Sequence, residues 1–293
     1  MLFSTNTSAL SQKFGYAKYT ELLCKAGFPA LDFSFFSYAQ EEIPAGADEL
    51  MRELRAIADS HGVIFNQAHA PFGGGYEKYT SIRVPLMPEV FRLSSILGVR
   101  QIVIHPLQKG YYAGHEKELF EENLAFYRSL APYAKEHGLR IAIENMWRRH
   151  ERSGYIIDDV LAPPEELRDM YDALDDSETF TVCLDVGHVT LCSHREPADA
   201  IRILGRDRLG ALHVHDTDYR DDLHTLPYMG KIDWESVISA LAEIDYKGEL
   251  TLEASNFQRN VPEALLPAAL RYMAETAAYL AERIEAAKRE VIR

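Results

Sequence analysis

The stretch EKELFEENLAFYRSLAPYAKEHGLRIAIENM, residues 116–146, holds one complete unit of the pattern that decides the fold. Leu119, Phe120, Leu124, Tyr127, Leu130 and Ala134 lie along one stripe at i, i+3/i+4 spacing, as an amphipathic helix requires. Gly138 then supplies a helix stop. Immediately after it the period changes to two: in RIAIENM, Ile141 and Ile143 alternate with Ala142 and Glu144.

The same unit recurs on both sides. LFSTN (2–6), PALDFSF (29–35), VIFNQAH (63–69), QIVIHP (101–106), TVCLDVGH (181–188), GALHVHD (210–216) and ELTLEAS (249–255) are further short β-rich runs. Helical segments separate them, such as DELMRELRAIADSHG (48–62), and a long Ala/Glu-rich helix from about Pro262 closes the chain. Eight strand-then-helix units imply parallel strands with right-handed crossovers. In fewer than 300 residues this predicts an α/β fold, a single (β/α)8 TIM barrel, with residues 1–293 as one domain. An open doubly wound sheet would normally carry a glycine-rich first turn, and STNTSAL is not one.

The alternation within the strands points to a site. Ile102 and Ile104, Val182 and Leu184, Leu212 and Val214, and Leu250 and Leu252 form one set, expected to face the helices. The opposite set faces the barrel interior and includes Glu144, Asp185, His213 and Glu253, each late in its strand. His105 and His69 end their strands in the same way. The C-terminal rim is where barrel enzymes keep their chemistry. Three carboxylates and an imidazole in one small volume raise one another's energy unless a cation joins them. Such a donor set suits one divalent metal ion: Mn2+, Co2+, Mg2+ or Zn2+.

The formal net charge of -14 makes a nucleic-acid partner unfavourable. The densest basic run, WRRHER (147–152), reads as a solvated loop or a grip on one small anion. Cys24, Cys183 and Cys192 are few and have no metal spacing, which fits a reducing, cytoplasmic setting. No run of about 18 apolar residues offers a membrane span.

QAHAPF, VIHP, IENM, CLDVGH, HVHD, DDLH…GKIDW and LEAS, in this order, resemble the xylose isomerase-like TIM barrel superfamily. It includes ketose 3-epimerases, hydroxypyruvate isomerases, inosose-processing enzymes and endonuclease IV. The resemblance implies a metal-dependent sugar, sugar phosphate or hydroxy-keto acid isomerase or epimerase, with one divalent ion on Glu144, Asp185, His213 and Glu253. Glu144 and Glu253 would be the catalytic acid/base pair acting through an enediolate. His188, His69, His105, His224 and Trp147 would bind a small sugar-like substrate, and a homo-oligomer is compatible with it. The alternative, an endonuclease IV-like phosphoesterase with up to three Zn2+, would recruit Asp222, His224, His69 and His105 as extra metal ligands. A metal-dependent dehydratase or lyase is a further use of such a scaffold.

Phe35, Phe36, Tyr38, Phe72, Tyr76, Tyr111, Tyr112 and Trp147 follow strands and are expected in loops above the site. PFGGGYEKY (71–79) reads as a flexible loop without Walker spacing. His61, His115, His137, His150 and His194 read as surface or capping residues, Asp218 and Asp221 as turn residues, and Asp233 as a helix N-cap.

Overall fold

The computed structural model describes residues 1–192 and 195–291; His194 lies outside the described residues. Its strands, in chain order, are β1 (Phe3–Asn6), β2 (Ala30–Ser34), β3 (Ile64–His69), β4 (Gln101–Ile104), β5 (Arg140–Glu144), β6 (Trp147–Arg149), β7 (Ile156–Asp158), β8 (Phe180–Asp185), β9 (Leu209–Val214) and β10 (Glu249–Leu252). Eight of them close in the order β1-β10-β9-β8-β5-β4-β3-β2, with every neighbouring pair parallel. This is the (β/α)8 barrel that the alternating pattern predicts.

The strand parity holds. Val103, Ala142, Cys183 and Ala211 form a small buried cluster of their own inside the barrel. Ile102, Ile104, Ile141, Ile143, Val182, Leu184, Leu212, Val214, Leu250 and Leu252 join the large core between sheet and helices. The helix predicted at 116–137 runs Glu116–His137 and ends at Gly138 in the left-handed region, where the missing Cβ removes the steric penalty.

Several local expectations change. PFGGGYEKY is not wholly loop: Gly75–Lys78 form a helical turn that runs into a wider one at Tyr79–Arg83. The closing helix begins at Leu266, after a tight turn at Glu263–Leu265. WRRHER contributes β6 of an antiparallel ribbon with β7, and Arg148 pairs with buried Asp159 at 2.5 Å, so its basic character is partly neutralised. Three-residue strands are too short to give a readable alternation. Among the described residues no helix is long and apolar enough to cross a membrane.

Candidate active site

The inward residues at the ends of β5, β8, β9 and β10 meet at the C-terminal rim. Ligand atoms of Glu144, Asp185, His213 and Glu253 all lie within 4.8 Å of one another, and all four residues are buried. Glu144 is the hub. Its Oε1 faces His213 Nδ1 at 2.8 Å, and its Oε2 faces His69 Nε2 at 3.2 Å and His105 Nε2 at 2.9 Å. Glu253 accepts from Asn6 Nδ2 at 3.1 Å and lies 3.7 Å from His213 Nδ1.

A second group stands beside the first. His188, His215, Asp222 and His224 also bring ligand atoms within 4.8 Å of one another. β8 passes directly into the helical turn Val186–Leu191, whose N-cap is Asp185: its Oδ1 accepts from the His188 backbone N–H at 2.8 Å. One carboxylate therefore caps a helix and faces the site. His215, two residues after His213, stacks on His224 with ring centres 4.1 Å apart. Gly187 makes room for that stack, because a Cβ there would lie 2.1 Å from His215 Cε1. Asp222 and His224 arrive on the loop after β9. Asp216 anchors that loop by accepting from Thr217 N at 2.9 Å, Ile232 N at 3.1 Å and Trp234 Nε1 at 2.9 Å. His224 itself has φ +42°, a conformation that costs energy for a residue other than glycine.

Two observations show that these residues fit a metal. Three imidazoles have Nδ1 directed at a backbone carbonyl: His69 to Ala70 at 3.0 Å, His188 to Asn145 at 2.9 Å and His224 to Glu253 at 2.7 Å. A Nδ1–H donated there leaves Nε2 as the ligand atom, the arrangement that orients metal-binding histidines. Second, buried polar atoms lack aligned hydrogen bonds. His215 Nε2 stands 3.0 Å from Asp185 Oδ1 without the angle of a hydrogen bond, and Asp185 Oδ2 and Asp222 Oδ1 have histidine nitrogens at 3.9 and 3.6 Å but no hydrogen bond. Buried ligand-type atoms left without hydrogen bonds are compatible with a cation at this position. Among the described residues no lysine or arginine pairs with Glu144, Asp185 or Glu253.

The electrostatics follow this geometry. Burial opposes ionisation of Asp185, but the charges of His188 and His215 outweigh it and hold the carboxyl at about 2. Burial opposes protonation of His188 and His224 too, yet Asp185 and Asp222 raise His188 to about 10, and Asp222 raises His224 to about 9. For His105, burial prevails over Glu144 and its pKa falls. Without a cation, part of the cluster neutralises itself by holding protons that a metal would have to displace.

A cavity of about 850 Å³ opens over both groups. Glu144, Glu253, His69, His105, His188, Asp222, His224 and Trp147 line it, so these expected site residues meet in one place; Asp185 and His213 lie fully buried among the ligands. Of the aromatic residues expected above the site, Phe36, Phe72, Tyr76 and Trp147 line the cavity. Phe35 is instead fully buried in the core, packed on Phe33, and Tyr38, Tyr111 and Tyr112 are not among the lining residues. Asp233 caps its helix and Asp218 accepts from two turn N–H groups, as expected. His215 is absent from the residues expected at the site; the i, i+2 spacing in HVH, which puts it on the face of His213, was the signal.

The profile of the xylose isomerase-like TIM barrel family matches residues 20–276. An uncharacterized protein of Methanocaldococcus jannaschii is 25% identical over 201 residues, 65% of this chain and 64% of that protein, so the match spans just under two thirds of that relative's length. A D-psicose 3-epimerase of Enterocloster bolteae is 26% identical over 253 residues, 81% of this chain and 76% of that protein. Among solved structures, a D-tagatose 3-epimerase-like protein superposes with a TM-score of 0.75 at 20% identity, covering 99% of this chain and all of that one. With the closed barrel and its rim of carboxylates and imidazoles, these matches show that the chain belongs to the xylose isomerase-like TIM barrel family.

Proposed function

We propose that this protein is a divalent-metal-dependent isomerase or epimerase of ketoses or related hydroxy-carbonyl compounds. The observation that carries the reading is the buried quartet Glu144, Asp185, His213 and Glu253, with both glutamates reaching the cavity floor. Relatives named as D-psicose 3-epimerases support it. A divalent ion held by the quartet would supply Lewis acidity toward adjacent carbonyl and hydroxyl oxygens. The side chains provide the proton transfers. Glu144 is held by three imidazoles, whereas Glu253 carries one side-chain hydrogen bond, from Asn6, and has more freedom to approach a substrate carbon. One carboxylate takes the proton next to the carbonyl and the other returns it. Return to the opposite face of the same carbon gives epimerisation; transfer to the neighbouring carbon gives isomerisation. Phe36, Phe72 and Trp147 give the cavity apolar walls suited to a sugar's C–H face. The acidic net charge agrees with a small neutral substrate rather than a nucleic acid.

The second group favours one further reading. His188, His215, Asp222 and His224 could hold another cation, and His69 and His105 with Glu144 a third, as a multi-zinc phosphoesterase of the endonuclease IV kind would need. Elemental analysis of the purified protein, with solvent deuterium exchange into a panel of ketoses, separates the two. One ion per chain and label next to the carbonyl support the isomerase. Three zinc ions, no exchange, and cleavage of phosphodiesters would replace it.

A further inference from the structure

Beneath the metal ligands, inside the barrel, three polar side chains have no part in the chemistry above: Asp32 on β2, Gln67 on β3 and Gln101 on β4. Asp32 and Gln67 are fully buried and Gln101 is 6% exposed. Neither oxygen of Asp32 receives an aligned hydrogen bond, although its register partner on the adjoining strand is Gln67. An unsatisfied buried carboxylate is costly and calls for a physical account.

His213 supplies one. Its Nδ1 points up to Glu144 Oε1 at 2.8 Å, which makes Nδ1 the ligand atom. Its Nε2 points the opposite way, 3.0 Å from the Gln67 side-chain nitrogen, and Gln67 Oε1 accepts from Gln101 Nε2 at 3.1 Å. The contact between the two nitrogens is a hydrogen bond only while His213 Nε2 is bare. A cation on Nδ1 leaves the neutral ring's proton on Nε2, and an imidazolium also carries one there. Two donors would then face each other at 3.0 Å.

We infer that Gln67 and Asp32 form the outer support of the metal site: Gln67 and Gln101 turn their amides over together, so that Gln67 Oε1 accepts from His213 Nε2–H while the Gln67 NH2 group donates one N–H to Gln101 Oε1 and the other to the otherwise unpartnered Asp32 carboxylate. The side-chain order is His213, Gln67, Asp32, from β9 across the barrel interior to the adjoining strands β3 and β2. The negative charge of Asp32 reaches the cation through this chain, and the amide fixes the ring's tautomer and tilt. Burial raises Asp32 to about 6, and the nearby His213 and His69 pull against that rise. Asp32 and Gln67 are positioning residues and touch no substrate.

The inference rests on the metal-holding part of the proposed function, and its test reads metal affinity rather than turnover. Zn2+ affinity is measured by chelator competition on the full chain, with circular dichroism as the folding control. Asp32→Asn and Gln67→Leu should each weaken Zn2+ binding by about 10- to 100-fold. The double variant Asp32→Asn/Gln67→Glu, which moves the carboxylate next to His213, should recover most of that loss, a rescue that a merely structural role would not produce. Unchanged affinity in the folded single variants overturns the inference. Should the variants fail to fold, the His213 Nε2–H proton in the Zn2+-loaded native chain decides it by NMR: slow solvent exchange with a scalar correlation across a hydrogen bond to the Gln67 side-chain carbonyl supports the inference, and the absence of that correlation refutes it. The expected loss and rescue of Zn2+ affinity alongside absent ketose exchange would count against the isomerase reading alone.

Discussion

Asp216 is fully buried and receives three hydrogen bonds, from Thr217 N, Ile232 N and Trp234 Nε1. It ties both ends of the loop that carries Asp222 and His224 to the barrel. Hydrogen bonds to a charged acceptor contribute about 1.5–3 kcal/mol each, and a donor left buried without a partner costs a similar amount. Asp216→Ala strands three buried donors and should destabilise the fold by roughly 4–6 kcal/mol. Asp216→Asn keeps the oxygen that serves the two backbone N–H groups but turns an NH2 toward Trp234 Nε1–H, for a loss of about 2–3 kcal/mol. For a chain of this size the Asn variant should lower Tm by roughly 3–5 °C. Gly230 adds a steric check, since a Cβ there would lie 2.3 Å from Asp216 Oδ1. The assay is denaturant unfolding of the metal-free chain, with limited proteolysis of residues 217–232 to detect a loosened loop. An Asp216→Ala protein within about 1 kcal/mol of the native one, with the loop still protected, would refute the reasoning.

Glu144→Gln and Glu253→Gln should each reduce turnover on an accepted ketose by about 10²–10⁴-fold; near-native kcat in either would remove that residue from proton transfer. Gly187→Ala places a methyl 2.1 Å from His215 Cε1, so the ring must shift by about 1 Å or more to regain van der Waals distance. That variant should weaken binding of any cation at His188, His215, Asp222 and His224, and metal titration showing unchanged stoichiometry and affinity would contradict it. Asp185 is depressed from the ordinary aspartate value near 3.8 to about 2, so its contribution to stability is full above pH 4 and disappears as pH falls through 2. The metal-free chain should lose roughly 2 kcal/mol from this group across that window, and an Asp185→Asn variant should lack that part of the acid dependence in pH-dependent unfolding.

The barrel was legible in the sequence because periodicity is local: the change from a 3.6-residue to a 2-residue period at Gly138 can be read without knowing any neighbour. The same parity put Glu144, Asp185, His213 and Glu253 on one face, since side chains alternate along every strand. Where an element is short, that signal fails, as in the three-residue strands β6 and β7 or the helical turn Gly75–Lys78. Phe35 shows another limit, because its place after β2 suggested the cavity while packing on Phe33 took it into the core.

The sequence by itself determined the number of units, the face on which the polar residues lie and the end of the barrel they occupy. Only the tertiary structure decided that His215 joins His188, Asp222 and His224 in a second group, and that Asp32 and Gln67 stand behind His213. The first depends on the pairing of β8 with β9 and on the path of the loop after β9; the second depends on closure of the barrel, which brings β2, β3 and β9 to one interior by registers that no local pattern encodes.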